Sequence, residues 1–184
     1  MTKNKTFIGI TGTNASGKGE VTQYLQTLGY TYLSLSDLLR EIVRAQGLEL
    51  SRDNLTNIGQ QERKKSGPGF LATTALTKIL PNTSYVIDSI RHPEEVRILK
   101  KALPAFELWA IDADPHIRFE RATARGRDEN AQTLDAFLSQ EQKEMTDNPN
   151  AQQLHNTMKL AKITLSNNEN VEKLHKQIQN ALTT

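Results

Sequence analysis

The segment FIGITGTNASGKGEV, residues 7–21, decides the fold of this chain. Its first part, Phe7–Thr11, is mostly apolar and β-branched, which predicts a buried strand. Gly12 is then followed by four residues, Gly17 and Lys18. This is the spacing of a phosphate-binding loop that connects a strand to a helix, where backbone N–H groups and the helix dipole attract an anion.

The glycines and the lysine of this loop have separate tasks. Glycines let successive amide N–H groups point inward, and Lys18 reaches the β- and γ-phosphates of a nucleotide. Each charge-assisted hydrogen bond of this kind contributes about 1.5–3 kcal/mol. We expect phosphate contacts from eight residues, which are Gly12, Asn14, Ala15, Ser16, Gly17, Lys18, Gly19 and Glu20.

Gly19 departs from the usual pattern, because the residue after the lysine is normally serine or threonine. That hydroxyl contacts Mg²⁺ in most proteins with this loop. Here the metal has to be held by phosphates, by water and by a carboxylate from another part of the chain. Thr22, one helical turn later, is predicted to lie on the helix surface.

Strand-like and helix-like segments alternate along the chain. The predicted strands are Phe7–Thr11, Tyr32–Leu35, Tyr85–Asp88, Leu108–Asp112 and Ile163–Leu165. The predicted helices are Lys18–Leu28, Asp37–Ala45, Asp53–Lys65, Phe70–Leu80, Glu94–Lys101, Pro115–Ala124, Leu134–Met145, Ala151–Leu160 and Val171–Leu182. This alternation predicts an α/β fold with a mostly parallel five-stranded sheet and helices on both faces, a three-layer sandwich of the P-loop NTPase type. Trp109, in the middle of a predicted strand, is expected in the core.

Composition and length narrow the class of protein. A chain of 184 residues suits a single domain, 1–184. It has no cysteine, which excludes disulfides and thiolate metal sites and predicts a cytoplasmic location. No segment approaches the roughly 20 apolar residues of a membrane span or the pattern of a signal peptide, so no membrane partner is expected. A net charge of only +2 argues against general nucleic-acid binding.

Polar residues at the ends of two other predicted strands add to the phosphate site. Asp88 ends a strand, where an isolated buried carboxylate would be costly without a function. Arg91 follows it and can bind phosphate with two nitrogens at once. The alternative for Arg91 is an ion pair with Glu94 or Glu95.

The segment after the second predicted strand offers Asp37 and Arg40. Arg40 is predicted to bind a second phosphorylated molecule, and its alternative is an ion pair with Asp37 or Glu41. Asp37 is alternatively a residue of the first helical turn with Ser36 as cap, where the dipole favours an acid.

A run of arginines, RFERATARGR, precedes a polar segment near residue 128. Arg118, Arg121 and Arg125 fall three and four residues apart and share one helix face. Arg121 and Arg125 are predicted to close over a bound nucleotide from the base of a lid, which would exclude water. Arg118 and Arg127 are weaker candidates, and a solvated charged surface is the alternative for the whole run.

Two large classes of P-loop protein fit poorly. Switch GTPases need a hydroxyl after the lysine and read guanine with an Asn/Thr-Lys-x-Asp segment, which this sequence lacks. Motor-type and chaperone-type ATPases typically place a glutamate after the strand-end aspartate, whereas Asp88 is followed by Ser89.

The segments GTNASGKGEV, LSLSDLLRE and VIDSIRHPEEV together resemble the nucleoside monophosphate kinase group, with adenylate kinases the nearest well-known members and dephospho-CoA kinase nearby. The resemblance extends over nearly the whole chain and implies ATP and Mg²⁺ as cofactors and nucleotides as substrates. It implies that Lys18 binds the donor phosphates and that Arg40 and Arg91 grip the acceptor phosphate. It also implies that Asp88 positions the metal through water.

Further roles come only from this resemblance. It implies an acceptor-binding helical region at about 37–80, with Asp37 among its contacts, and a short lid at about 125–133. Gln60, Gln61 and Arg63 are weaker candidates for contacts to the acceptor base. The oligomeric state stays open between monomer and homodimer.

Two alternatives remain open at this point. A relative of dephospho-CoA kinase would transfer phosphate to a ribose hydroxyl, with Asp37 acting as a base, and the segment AKITLSNNENVEKLHKQI favours it mildly. A nucleotide-sensing domain with little catalysis would explain Gly19. The four histidines show no metal-ligand spacing and are predicted to lie on the surface or in loops.

Overall fold

The computed structural model describes residues 5–126, 133–142 and 145–183. Within these ranges the chain forms five strands and nine helices. The strands are β1 (Phe7–Gly12), β2 (Thr31–Ser34), β3 (Tyr85–Asp88), β4 (Phe106–Asp112) and β5 (Ile163–Ser166). The helices are α1 (Lys18–Thr27), α2 (Leu35–Ala45), α3 (Arg52–Ser66), α4 (Phe70–Leu76), α5 (Pro93–Ala102), α6 (Pro115–Ala124), α7 (Leu134–Gln142), α8 (Leu154–Met158) and α9 (Val171–Leu182).

The five strands form one sheet in the order β2-β3-β1-β4-β5, and every neighbouring pair is parallel. Strand β1 is central, with Ile8 level with Val86 of β3 and Glu107 of β4. The carboxyl ends of parallel strands meet at one edge, where α/β proteins bind ligands. The phosphate-binding loop, Asp88 and Asp112 therefore lie at the same edge.

Helices cover both faces of the sheet, because the central strands carry apolar side chains on both sides. One core cluster packs strand residues such as Ile87 and Leu108 against α2, α4 and α5. The other packs Ile10 and Trp109 against α1 and α9. Trp109 is buried, as predicted. The predicted three-layer α/β fold is confirmed, with an all-parallel sheet.

Three predicted boundaries shift for local reasons. The hydroxyl of Ser34 accepts a hydrogen bond from the amide of Asp37, so Leu35 begins α2 rather than ending β2. Helix α4 stops at Leu76 instead of Leu80, in a stretch whose threonine hydroxyls bond back to helix carbonyls. Helix α8 is shorter than predicted, because the amide of Gln153 donates instead to the carbonyl of Arg91.

Two polar side chains are buried: Thr22, predicted to lie on the helix surface, and His92, which lies in a loop, one of the two places predicted for it. The hydroxyl of Thr22 donates to the carbonyl of Gly19, so the Thr22 side chain can be buried beside the first turns of α1. His92 is also buried, because its Nδ1 accepts from the amide of Glu94 and caps α5. Periodicity alone missed both, because Thr22 bonds a backbone carbonyl through its hydroxyl and His92 bonds a backbone amide through Nδ1. Nε2 of His92 is buried with no partner among the described residues.

None of the helices in the described ranges combines the length and the apolar character needed to cross a bilayer.

Candidate active site

The phosphate-binding loop follows β1 and ends at the start of α1, as predicted. Gly12 has φ +143, and a Cβ on it would overlap the carbonyl oxygen of Ile111 in β4. Gly17 has φ +100 and precedes the first residue of α1, and a Cβ there would overlap the side-chain amide of Asn167. Both positions therefore require glycine, for backbone angle and for space.

Lys18 lies at the first position of α1 and turns back over the loop. Its ammonium donates to the carbonyl oxygens of Gly12, at 2.9 Å, and Thr13, at 2.6 Å. These bonds hold the positive charge against the curled main chain, where the helix N-terminus adds a partial positive charge. A phosphate bound in the loop would meet this charge directly.

Residues beyond the loop fix its shape. The side-chain amide of Asn167, after β5, donates to the carbonyl of Ser16 at 2.8 Å, and its backbone amide donates to the carbonyl of Asp112 at 2.8 Å. The hydroxyl of Thr13 donates to Asp112 Oδ1 at 3.1 Å. Sequence reasoning did not name Asn167 or Asp112 as site residues. The asparagine after the last strand, in LSNNEN, was the available signal.

Asp88 ends β3 beside the loop strand β1 and is 9% exposed. Its Oδ1 accepts from the amide of Ser89 at 2.6 Å, and its Oδ2 accepts from the hydroxyl of Tyr32 at 3.3 Å. Ser89 has φ 66, an unfavourable angle for a residue with a side chain. The amide of Ile90 bonds the carbonyl of Ile10 at 3.2 Å, which fixes this turn to β1.

A cavity of about 1060 Å³ opens between α2, α3, α5 and α7. It is large enough for a nucleotide-sized ligand, since small-molecule sites span about 300–1,000 Å³. Four arginines border it, and they are Arg40, Arg52, Arg63 and Arg91. Asn14 of the phosphate-binding loop borders the same cavity.

Arg40 lines the cavity from α2. Its Nη1 donates to Ser36 Oγ and to Asp37 Oδ1, both at 2.8 Å. The ion pair with Asp37, one of the two alternatives from the sequence, is therefore present alongside the position at the cavity wall. Asp37 itself is 57% exposed at its side chain and is not among the described residues that line the cavity.

Arg91 lines the cavity from the segment between β3 and α5. Its Nη1 donates to Gln152 Oε1 at 3.0 Å. Its backbone amide, rather than its guanidinium, donates to Glu95 Oε2 at 2.8 Å. Glu94 pairs instead with Arg97, at 2.5 Å. The predicted alternative of an Arg91–Glu94 pair is thus replaced by an exposed pair within α5.

A smaller cavity of about 200 Å³ lies on the other side of the loop. Its lining includes Gly17, Glu20, Arg121, Arg125 and Asn167. Burial, and then the charge of Arg125, lower the pKa of Arg121. The two arginines at the predicted lid base therefore sit beside the loop, whereas Arg127 and most of the predicted lid, 125–133, lie outside the described residues.

Arg118, the third arginine of the run, is buried. It forms an ion pair with Glu141 of α7 and donates from Nε to the carbonyl of Ala113 at 2.9 Å. Its guanidinium lies 5.7 Å from the centre of the Phe137 ring. Its Nη1 also donates to the carbonyl of Asn14 in the phosphate-binding loop at 3.4 Å, so Arg118 connects α7 to that loop.

The phosphate-binding loop lies between the two cavities, because Asn14 borders the larger one and Gly17 borders the smaller. Arg40 and Arg91 reach the larger cavity, and Arg121 and Arg125 reach the smaller. Four of the predicted arginines therefore line cavities that border the phosphate-binding loop. Lys18 and Asp88 are not among the described residues that line either cavity.

A magnesium ion in this region would take most of its ligands from bound phosphates and water rather than from protein side chains. No group of three or more His, Asp or Glu side chains that could hold a metal occurs in the described part of the chain. Mg²⁺ usually takes one or two carboxylates together with phosphates and water. Asp88, a carboxylate at the strand end beside the loop, suits that arrangement.

Two comparisons of sequence place the chain in a family. A family model described as "AAA domain" matches residues 8–149. A UPF0200 protein of Thermococcus onnurineus is 32% identical over 142 residues, which cover 74% of this chain and 77% of that protein. The chain belongs to the UPF0200 protein family and carries an AAA domain. The domain match spans the loop, Asp88 and Arg121, and ends before Asn167.

Solved structures give the fold of this UPF0200 chain. A shikimate kinase of Bacteroides thetaiotaomicron has a TM-score of 0.62 at 13% identity, covering 97% of this chain and 99% of that chain. A gluconokinase of Sinorhizobium meliloti has a TM-score of 0.54 at 12% identity, covering 97% and 91%. These likenesses show the fold alone, which is that of P-loop kinases.

Proposed function

We propose that this protein is an ATP-dependent phosphotransferase that moves the γ-phosphate of ATP to a nucleoside monophosphate. The observation that carries the proposal is the phosphate-binding loop between two cavities, with four arginines on the larger and two on the smaller. The larger cavity suits the acceptor, and the smaller one, beside Gly17, would take only part of the donor nucleotide. A one-substrate ATPase would not need the larger cavity, and Asp88 is followed by serine rather than by the glutamate of many ATPases.

The chemistry asks the protein mainly to position reactants and neutralise charge. Phosphoryl transfer brings several negative oxygens together, and the enzyme does little covalent work. Lys18 and the loop amides would hold the donor phosphates, and Arg40 and Arg91 would hold the acceptor phosphate. Arg121 and Arg125 would neutralise charge from the donor side.

Magnesium, when bound, would supply a further positive charge that neutralises the donor phosphates. Asp88 is the residue that would hold it, by way of water. Gly19 provides no hydroxyl, so this site would depend on fewer protein ligands than most P-loop proteins. We further propose a cytoplasmic location, since the sequence has no cysteine to oxidise.

A hydroxyl acceptor is the second candidate. The similar folds named above are a shikimate kinase and a gluconokinase, and the sequence ending around β5 also resembles dephospho-CoA kinase. Under this candidate Asp37, which forms an ion pair with Arg40, would accept a proton from the hydroxyl. Arg40 and Arg91 together favour an acceptor that already carries phosphate, because a paired guanidinium site matches phosphate oxygens.

The test is a panel of acceptors assayed for ADP with Mg²⁺ and ATP. The panel contains AMP, CMP, GMP, UMP, their deoxy forms, dephospho-CoA, shikimate and gluconate. Turnover with a monophosphate is the expected result, and turnover only with a hydroxyl acceptor would establish the second candidate. Tight ATP binding with no turnover would indicate a sensor.

Lys18→Ala tests the phosphate-binding loop. This variant should lose turnover and keep the melting temperature of the wild type. Lys176→Ala, a lysine of α9, serves as the control that should keep full activity. Wild-type rates in Lys18→Ala would refute the assignment of the loop.

A further inference from the structure

The larger cavity contains two buried charged side chains that phosphate transfer, as described above, does not use. Glu95 of α5 and Arg63 of α3 both line it. Glu95 is 1% exposed and Arg63 is 5% exposed. Burying a charge costs several kcal/mol unless a partner compensates it, so the hydrogen bonds of both side chains decide what they can do.

Glu95 is held by one of its two oxygens. Oε2 accepts from the backbone amides of Arg91, at 2.8 Å, and His92, at 3.1 Å. Oε1 accepts no hydrogen bond from any residue that the structure describes. Because Oε2 is fixed to the start of α5, the direction in which Oε1 can accept a hydrogen bond is fixed as well.

Arg63 has no hydrogen-bond partner at all in the described ranges, although it is buried. Its guanidinium lies 5.9 Å from the centre of the Phe70 ring, within the range of a cation–π contact. Burial lowers the pKa of Arg63, and the nearby charge of Glu95 acts in the opposite direction. The two groups attract each other, yet no salt bridge joins them within the described residues.

Among the described residues, Glu95 Oε1 is an unpaired acceptor and the Arg63 guanidinium is an unpaired donor, and both residues line the same cavity. Together they favour a ligand that carries a donor and an acceptor close to each other. The edge of a nucleobase carries an N–H next to a carbonyl or ring nitrogen, and it is planar. A second phosphate or a carboxylate offers only acceptors, and it would face Oε1 of Glu95 unfavourably. Leu39, Leu55 and Leu71 line the same cavity and suit the flat faces of a base.

We propose that Glu95 and Arg63 are the specificity-determining residues of this cavity and bind the edge of a nucleobase on the acceptor. Glu95 Oε1 accepts an N–H of the base, and the Arg63 guanidinium donates to the neighbouring carbonyl or ring nitrogen. This inference rests on the proposed function in taking the larger cavity as the acceptor site. A ligand without the matching donor and acceptor would leave these buried polar groups unpaired, and such ligands typically bind much more weakly.

The environment of Glu95 adds a dependence on pH. Burial raises the pKa of Glu95 to about 7, against the opposing effects of the two backbone amides and of Arg63 and Arg91. His92 at the helix cap and Glu94 in the next position complete the titratable groups around it. The ionised carboxylate accepts an N–H at Oε1 more strongly than the protonated acid does, so base binding weakens as the solution becomes more acidic.

The experiment measures binding of AMP, CMP, GMP and UMP, without ATP, by calorimetry at about pH 6 and about pH 8. Near pH 6 about one Glu95 in ten is ionised, so the best-bound nucleotide should bind about tenfold more weakly than at pH 8. Glu95→Gln replaces the free acceptor oxygen by a donor. It should weaken that nucleotide at least about tenfold at pH 8 and remove most of the pH dependence.

Glu94→Gln is the matched control, because Glu94 is the adjacent residue and pairs with Arg97 on the surface. It should bind the nucleotides within about twofold of the wild type. Binding of ATP at its own site should stay unchanged in both variants. Arg63→Gln serves as the second variant if Glu95→Gln proves unfolded by circular dichroism, and it should weaken the same nucleotide.

The outcomes separate this inference from the proposed function. Equal nucleotide affinities in the wild type, Glu95→Gln and Arg63→Gln would overturn the inference and leave the kinase function untouched. Nucleotide binding that depends on Glu95, without turnover of any acceptor, would overturn the kinase function and support the inference. Phosphorylation of a hydroxyl acceptor that lacks a base, with no nucleotide bound in the larger cavity, would also overturn the inference.

Discussion

The side-chain amide of Asn167 donates a hydrogen bond of 2.8 Å to the carbonyl oxygen of Ser16, 151 residues earlier in the chain. This bond connects the loop after the edge strand β5 to the phosphate-binding loop after the central strand β1. The same amide occupies the space in which Gly17 would carry a Cβ. The shape of the phosphate site therefore depends on the last third of the chain as well as on its first twenty residues.

Asn167→Ala should weaken ATP binding while the protein remains folded. The substitution leaves the buried Ser16 carbonyl without its partner, at a cost of about 1–3 kcal/mol, or about 5- to 150-fold in the KM for ATP if the loop bears all of it. The control is Asn156→Ala, whose amide bonds the Asp147 carboxylate at the surface. An unchanged KM for ATP in Asn167→Ala would show that the loop holds its shape without this contact.

Gly19→Ser should leave the fold intact and should tighten the binding of Mg²⁺. No atom lies within 4 Å of a Cβ built at Gly19, and its φ is not in the left-handed region. Serine is also favoured over glycine in a helix by a few tenths of a kcal/mol. The expected result is an unchanged or higher melting temperature and a lower Mg²⁺ concentration for half-maximal turnover.

Gly17→Ser is the matched control for that experiment, because it adds the same side chain two residues away. Its Cβ would overlap Asn167 and its φ is +100. We expect a marked loss of melting temperature or of ATP binding. A loss of equal size in Gly19→Ser would contradict the open space around that position.

Arg91→Ala should raise the KM for the acceptor by about tenfold or more and leave the KM for ATP unchanged, because a charge-assisted contact to phosphate contributes about 1.5–3 kcal/mol. Arg97→Ala is its control, since Arg97 lies on the exposed face of α5 and pairs with Glu94. Steady-state kinetics with each substrate varied in turn would distinguish the two effects. If the acceptor KM did not change, Arg91 would have no place in the acceptor site.

Arg118→Met should destabilise the protein, because it leaves Glu141 as a buried carboxylate without its partner. Breaking one side of a buried ion pair costs about 3–5 kcal/mol. Arg44→Met, at an exposed position of α2, should change the free energy of unfolding by less than about 0.5 kcal/mol. Urea unfolding of both variants checks this, and equal midpoints would mean that the pair contributes nothing.

The stability of the wild type should fall as the pH rises from about 4.5 to about 7. Burial raises the pKa of Glu95 in the folded protein to about 7 from its ordinary value of 4.5. The folded chain therefore binds a proton that the unfolded chain has released in this window, so raising the pH favours unfolding. Glu95→Gln has no such proton, and the fall in its melting temperature across the window should be smaller.

Glu94→Gln provides the comparison, because hydrogen bonding to Arg97 lowers the pKa of Glu94. Glu94 is ionised in both the folded and the unfolded chain above the unfolded pKa, so it adds no pH dependence there. The melting temperature of Glu94→Gln should therefore change with pH in the same way as that of the wild type between about pH 5.5 and 8. A wild-type melting temperature that is flat over this range would show that Glu95 titrates elsewhere.

Local sequence was sufficient for the fold and for the phosphate-binding loop. The strand, the glycine spacing and Lys18 lie within one short stretch, and their geometry depends on neighbours along the chain. The apolar runs around Ile87 and Trp109 similarly predicted strands buried on both faces, because burial on both sides leaves no room for polar alternation. The same local logic located Asp88 and Arg91 at a strand end.

The rest of the site was decided by tertiary structure. Asn167 and Asp112 support the loop from strands that are remote in sequence. Their positions at the ends of strands hint at a site, but their contacts with Ser16 and Thr13 follow only from the order of strands in the sheet. Glu95 follows a helix start and looks like an ordinary acid of a first turn. Only packing of α3 against the start of α5 buries it beside Arg63, and burial is what changes the chemistry of both side chains.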